Sequence, residues 1–169
     1  MKVLFADHSQ PVITSAREYN PTFDIQLGNP LAFDIDAVVS PANTRGIMNG
    51  GFDAVLRSFF GTIIEYRVRA RLRENPLDVG RACAVPTSHP KINKVIVTPT
   101  VSISGSGLSG HASVSYACGY NATMCAHNAG VKVLGLTGFG TGAGGLSVRD
   151  AIYQQFDGIE DALFDIKNR

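Results

Sequence analysis

The segment between residues 40 and 55 carries groups that could bind an anion. Asn43 ends an apolar run, six residues separate it from the pair Gly50-Gly51, and Asp53 follows where a helical pattern begins. Backbone N–H groups of consecutive glycines can approach an anion closely at a helix start, where the helix dipole favours negative charge. Asn43 could instead close the strand with an Asx turn, and Asp53 could be a first-turn acid that complements the dipole. The residues alone leave these alternatives open.

A second loop, from Thr137 to Ser147, contains five glycines and two threonines. Its backbone N–H groups could wrap a diphosphate, and Ser147 with Asp150 fits the pattern that caps a helix start. Phe139 within the glycines could belong to the core or offer a flat surface to a ribose. A dinucleotide fingerprint normally follows the first strand, so the late position of this loop argues against a Rossmann dehydrogenase.

Short runs typical of β-strands alternate with helical patterns along the chain. Several of the short runs are apolar throughout, as in strands buried on both faces. The predicted strands are Val3–Ala6, Phe23–Leu27, Ile35–Ser40, Ala82–Pro86, Val95–Thr98 and Lys132–Thr137. The predicted helices are Pro11–Tyr19, Phe52–Phe60, Thr62–Glu74, Ser113–Ala129 and a last one from Ser147 onward. The alternation predicts one domain over residues 1–169, an α/β fold built as a three-layer α/β/α sandwich around a mixed, mostly parallel sheet. In such sheets ligands bind at the carboxyl ends of strands, where both loops lie.

Composition and charge exclude several classes of protein. A hydrophobic share of 44% and a charged share of 17% argue against disorder, and a net charge of +1 gives no overall attraction to nucleic acid. The four arginines of Arg67–Arg73 spread around more than half of a helix, so we interpret them as a solvated face and expect no direct nucleic-acid binding. No apolar stretch reaches the ~18 residues of a membrane span, so no membrane partner is expected.

Cysteine and metal-ligand patterns are uninformative about chemistry but indicate a compartment. Cys83, Cys118 and Cys125 show no paired spacing, and their odd number favours a reducing, cytoplasmic environment. The first apolar run is too short for a signal peptide. No cluster of His, Cys and Asp has the spacing of metal ligands, so neither a metal nor a cofactor is expected.

Taken together, the two loops resemble the macro domain family, with bacterial and bacteriophage members nearest in character. Ser40–Asn43 is similar to the family's Asn-Ala-Ala-Asn motif, and Gly50–Val55 to its Val-Asp-Gly-Ala-Ile helix start. Leu27–Asn29 resembles the Gly-Asp-Ile-Thr segment that forms the family's adenine corner. Gly138–Gly145 resembles the second phosphate loop. The resemblance runs from about Phe23 to the last helix.

This resemblance implies a cleft for ADP-ribose, free or attached to a macromolecule. Asn43 would hydrogen-bond the distal ribose, and Asp53 would orient or activate a water against its C1″ atom; these are the implied catalytic residues. Burial would raise the pKa of such an Asp and make it a better base at neutral pH. The implied ligand-binding residues are Gly28, Asn29, Ala42, Asn43, Gly50, Gly51, Phe52, Gly138, Phe139, Gly140, Thr141 and Gly142.

Two departures from the family pattern keep two functions open. Asn29 stands where the family has an Asp that accepts from the adenine amino group, so this bond would lack charge assistance. Ser40-Pro41 replaces Asn-Ala and removes one of two Asn side chains. We expect a hydrolase of ADP-ribosyl bonds, acting in the cytoplasm (that of the host if the protein is viral). The alternative is a binder of ADP-ribose or of another NAD-derived nucleotide, and an unrelated ATP- or NAD-binding enzyme ranks third.

Overall fold

The computed structural model describes residues 1–102, 112–139 and 146–169. Six strands form one sheet: β1 (Lys2–Asp7), β2 (Asp24–Leu27), β3 (Ala37–Ser40), β4 (Cys83–Pro86), β5 (Lys94–Val97) and β6 (Val133–Leu136). The α-helices are α1 (Gln10–Tyr19), α2 (Gly51–Phe60), α3 (Thr62–Glu74), α4 (Ala112–Asn128) and α5 (Val148–Lys167). Every predicted strand and helix is confirmed, with ends that differ by a few residues. The described residues also contain a short 3-10 helix at Pro30–Ala32, which the sequence pattern did not predict.

The predicted strand from Ile35 begins two residues later, at Ala37, and the N–H of Ile35 donates to the oxygen of Phe33 in the preceding turn. The Asp36 carboxylate accepts hydrogen bonds from the backbone N–H groups of Lys132 and Val133. Together with the backbone bond from the N–H of Asp36 to the oxygen of Val133, these side-chain contacts tie the entrance of β3 to the entrance of β6. All four residues of β3 are buried, the apolar Ala37, Val38 and Val39 as their pattern predicts and the polar Ser40 with them.

The strand order of the sheet is β2-β1-β6-β3-β5-β4. All neighbouring strands run parallel except β4, which pairs with β5 in the antiparallel direction. The predicted mixed, mostly parallel sheet is therefore confirmed. The arrangement brings the carboxyl ends of β1, β6 and β3 side by side at the centre of one edge.

Helices cover both faces of the sheet, which confirms the predicted three-layer α/β architecture. On one face, side chains of α1, α4 and α5 pack against the sheet around Phe5 and Phe156, whose rings lie 5.0 Å apart. On the other face, Leu56 of α2 and Ile64 and Val68 of α3 pack against β3 and β5. None of the helices in the described part of the chain has the length and apolar character that crossing a bilayer requires.

Two glycines let α4 and α5 approach closely. A Cβ atom at Gly119 would overlap the backbone oxygen of Gln155, and one at Gly158 would overlap the backbone oxygen of Tyr116. The backbones of the two helices are therefore in direct contact. This contact fixes α5 under the end of β6, where the second glycine-rich loop begins.

Candidate functional site

The candidate site lies at the carboxyl edge of the sheet, where both predicted loops begin. Three central strands deliver Asp7 from β1, Ser40 from β3 and Thr137 directly after β6. Gly140, Thr141 and Gly142 of the predicted ligand set lie outside the described residues. A groove of about 640 Å³ between β1, β2 and Phe33 lies away from this edge, since Lys2 and Asp24 at the strand entrances line it.

The Asn43 side chain closes the first loop. Its Oδ1 accepts from the N–H groups of Arg45 (3.1 Å) and Ile47 (3.2 Å), and its Nδ2 donates to the oxygen of Ile47 (2.8 Å). These contacts form the Asx turn that the sequence offered as the structural alternative for Asn43. The ribose contact of Asn43 stays a prediction, and it would have to be made by an amide that already makes three hydrogen bonds.

Ala42 is buried and continues the pairing of β3 with β5 beyond the strands. Its N–H donates to the oxygen of Thr98, and its oxygen accepts from the N–H of Thr100. Because both backbone groups are used, the residue fixes where the loop leaves the sheet. Its predicted ligand contact is not tested by these bonds.

The start of α2 presents open backbone. Gly50 and Gly51 are exposed, and a Cβ atom built on either would meet nothing within 4 Å. Gly51 has φ +55, in the left-handed region that favours glycine, and no side chain caps the helix. Within the described residues, the N–H groups of Gly51, Phe52 and Asp53 have no acceptor. The ring of Phe52 is half-buried and packs on the core. This turn therefore offers an anion its backbone N–H groups and not the ring.

Asp53 turns its carboxylate inward instead of toward solvent. The Ser40 hydroxyl donates to Asp53 Oδ1 at 2.6 Å, and the two residues are 0% and 5% exposed. Burial raises the pKa of Asp53 to about 6, the bond from Ser40 opposes this rise, and the nearby Glu65 carboxylate adds to it. Ser40, which stands in place of a family Asn, is therefore the hydrogen-bond partner of Asp53, a predicted catalytic residue. Sequence reasoning missed this role.

Asp7 anchors both the second loop and the segment Leu27–Asn29. Its carboxylate accepts from the Thr137 hydroxyl and from the N–H of Gly138 (3.1 Å). Its backbone oxygen accepts from the N–H of Gly28 (2.9 Å). Gly138 and Gly28, both predicted ligand contacts, thus lie on either side of one residue at the end of β1.

Gln155 of α5 hydrogen-bonds the first residues of the second loop. It is fully buried, its Oε1 accepts from the N–H of Phe139 (2.9 Å), and its Nε2 donates to the oxygen of Thr137 (2.8 Å). Phe139 is 1% exposed, so its ring belongs to the core, one of the two alternatives for it. Gln155 lies within the apolar stripe of the last helix, and a polar residue at such a position is the signal that could have identified it.

Asn29 caps the short 3-10 helix. Its Oδ1 accepts from the N–H of Leu31 at 3.0 Å, which leaves one lone pair of that oxygen for a ligand. Gly28, beside it, has φ +142. At the start of α5, the Ser147 hydroxyl accepts from the N–H of Asp150, so the predicted helix cap is confirmed. In the described ranges no three His, Cys, Asp or Glu side chains converge closely enough to hold a metal.

Relatives of this chain are found by sequence comparison in other organisms. An uncharacterized protein of Aeropyrum pernix is 29% identical over 126 residues, which cover 75% of this chain and 64% of that protein. The chain thus spans less than two thirds of the length of this relative.

Solved structures share the fold. The macrodomain of Mycobacterium tuberculosis DarG superposes with a TM-score of 0.68 at 18% identity, covering 80% of this chain and 88% of that one. A Trypanosoma brucei macrodomain in complex with ADP-ribose gives 0.62 at 20% identity, covering 95% and 58%. At such identities the likeness establishes the fold alone. The model of the macro domain family matches residues 39–154, most of the chain and both candidate loops, and the chain therefore belongs to the macro domain family.

Proposed function

We propose that this macro domain binds ADP-ribose at the carboxyl edge of its sheet and hydrolyses ADP-ribosyl bonds. One observation carries the proposal: a buried carboxylate, Asp53, lies in the first turn of a helix whose leading N–H groups are open to an anion. Family membership supports the ligand, because a macrodomain of the same fold was solved with ADP-ribose.

The diphosphate would lie between the two loops. One phosphate would accept from the open N–H groups of Gly51, Phe52 and Asp53, where the dipole of α2 stabilises negative charge. The glycines from Gly138 would hold the other. Gly28 and Asn29 would contact the adenine, which places the nucleotide end of the ligand beside β1 and β2.

Asp53 would serve as the general base. With a pKa of about 6, its carboxylate is ionised at neutral pH yet basic enough to take a proton from water. That water attacks C1″ of the distal ribose, the bond from C1″ to the attached group breaks, and the departing group takes up a proton. The Ser40 hydroxyl keeps Asp53 in one orientation. Turnover should therefore fall as the pH drops below about 6.

The alternative of a binder without chemistry is favoured by two contacts. Asp53 is 5% exposed and already bonded to Ser40, and the Asn43 amide is used by its own loop. A site with these side chains turned inward could hold ADP-ribose through backbone groups alone. The two functions share one cleft and differ only in whether a bound ester or glycoside is cleaved.

Binding is tested first, by calorimetric titration of ADP-ribose with AMP, ATP and NAD as comparison ligands. Gly51→Ala places a methyl group where the phosphate would lie and should weaken ADP-ribose binding at least tenfold. Gly61→Ala is the matched control, because Gly61 also has a positive φ at a helix start and also has free space around a Cβ atom. An equal loss in both variants, or no binding by the wild type, would refute the ligand assignment.

Hydrolysis is tested by single-turnover release of ADP-ribose from an ADP-ribosylated peptide and an ADP-ribosylated oligonucleotide. Asp53→Asn keeps an acceptor for Ser40 but removes the base, so turnover should drop about 100-fold or more while the Kd for ADP-ribose changes little. Full turnover in this variant would exclude Asp53 as the base. Saturable binding by the wild type with no turnover on either substrate would establish the binder.

A further inference from the structure

A groove of about 260 Å³ runs along α3 and is closed at one side by α2. It is lined by Arg57, Thr62, Glu65, Tyr66, Arg69 and Arg73. Five of these residues belong to α3 and recur at helical spacing, so they form one face of that helix. From Thr62 to Arg73 this face is about 16 Å long at the rise of an α-helix.

Positive charge is concentrated in this groove. Three arginines and one glutamate line it, which gives a formal charge of +2 in the groove, against +1 for the whole chain. Glu65 contacts Arg57 Nε at 3.1 Å and Arg69 at 3.8 Å, leaving other guanidinium N–H groups of both arginines without a protein acceptor in the described ranges. Arg73 has no hydrogen-bond or ion-pair partner among the described residues. The groove therefore offers donors of the geometry that phosphates accept from.

An aromatic side chain stands on the same face. Tyr66 is 65% exposed, the second most exposed of the large hydrophobic side chains in the described ranges. Its neighbours along the groove are Thr62, Arg69 and Arg73, one or two turns away on either side. A charged groove with an exposed ring is the combination that binds single-stranded nucleic acid, whose bases stack on the ring while its phosphates meet the charges.

We propose that this groove binds the sugar-phosphate backbone of a single-stranded nucleic acid, with Arg57, Arg69 and Arg73 on phosphates and Tyr66 stacked on a base. A duplex keeps its bases paired and stacked on each other, so it cannot offer one to Tyr66. The proposal goes beyond the proposed function and does not depend on ADP-ribose binding or hydrolysis.

The structure separates arginines that the sequence pattern grouped together. Arg67 donates to the oxygen of Pro86 (3.1 Å) and to the Ser88 hydroxyl (3.0 Å), and Arg71 donates to the oxygen of Asn75 (3.2 Å). These two arginines lie outside the groove, while Arg69 and Arg73 line it. The prediction of a solvated face treated all four arginines of α3 alike. The sequence also does not show that Arg57 of α2 lines the same groove as Arg69 and Arg73.

The test is fluorescence anisotropy with a labelled, mixed-sequence single-stranded DNA of about 20 nucleotides, titrated at several salt concentrations. The double variant Arg69→Gln/Arg73→Gln should weaken binding at least tenfold and reduce the slope of log affinity against log salt by about 1.4. The double variant Arg67→Gln/Arg71→Gln is the matched control and should change affinity less than about twofold. Tyr66→Leu should weaken binding about fivefold and leave the slope unchanged.

Three results would overturn the proposal. They are the absence of binding by the wild type at about 50 mM salt, equal losses in the two double variants, and equal affinity for a duplex of the same sequence. ADP-ribose binding measured on the same samples shows whether the domain is folded and keeps this test separate from that of the proposed function. Thermal unfolding of each variant provides the same check if ADP-ribose does not bind.

Discussion

Replacing Asp53 by Asn should stabilise the folded chain at neutral pH and do so much less in acid. The pKa of Asp53 is about 6 in the folded state and 3.8 for an ordinary Asp, so the folded state binds more protons between these values. Stability must then fall as the pH rises from about 4 through about 6, by about 3 kcal/mol in total, because each pH unit of pKa difference corresponds to 1.36 kcal/mol. About 2 kcal/mol of this change falls between pH 4.5 and pH 7.5.

The measurement is urea unfolding of the wild type and of Asp53→Asn, followed by circular dichroism at both pH values. The stabilisation by Asn should be about 2 kcal/mol larger at pH 7.5 than at pH 4.5. Asp150→Asn is the matched control: Asp150 is also the third residue of its helix, but it is exposed. Its effect should stay within the ~1 kcal/mol of a helix-dipole contact at both pH values. An effect of Asp53→Asn that does not depend on pH would refute the argument that burial of this carboxylate is costly.

Two further substitutions test other parts of the site. Gln155→Leu should lower the free energy of unfolding by about 2 to 4 kcal/mol, because it leaves the buried Thr137 oxygen and Phe139 N–H unpaired. The control Gln154→Leu, at the partly exposed neighbouring position, should lower it by less than about 0.5 kcal/mol. Equal losses of the two variants in urea unfolding would contradict the role of the two bonds. Asn29→Asp should strengthen ADP-ribose binding about fivefold by calorimetry, because a charged acceptor makes the stronger bond to an adenine amino group. Affinity for ribose 5-phosphate, which has no adenine, should not change, and an equal gain for both ligands would contradict the adenine contact.

The strands, the helices and their arrangement in layers could be predicted from the sequence. The strand β3 begins with three consecutive apolar residues, and α5 repeats its apolar residues every three or four positions, so local patterns predict both. The helix cap at Ser147 was predictable because its donor, the N–H of Asp150, lies three residues away. Such features depend on short stretches of chain.

The contacts that shape the site were not predictable in the same way, because they join distant residues. Ser40 and Asp53 are thirteen positions apart, and Asp7 meets Thr137 across 130 positions. Which polar groups meet depends on the strand order, and a single sequence does not reveal that β6 lies between β1 and β3. Gln155 is an intermediate case, since its place in an apolar stripe marks it as buried without naming its partners.

Asp7 has a consequence for the entropy of ligand binding. Its main chain holds Gly28 and its side chain holds Gly138, so two of the predicted ligand-contacting positions are fixed to one residue at the end of a central strand. The conformational freedom of these two positions is lost when the chain folds, before any ligand arrives. A ligand that reaches both would meet a preorganised frame, and less of its interaction energy would be spent on ordering the protein.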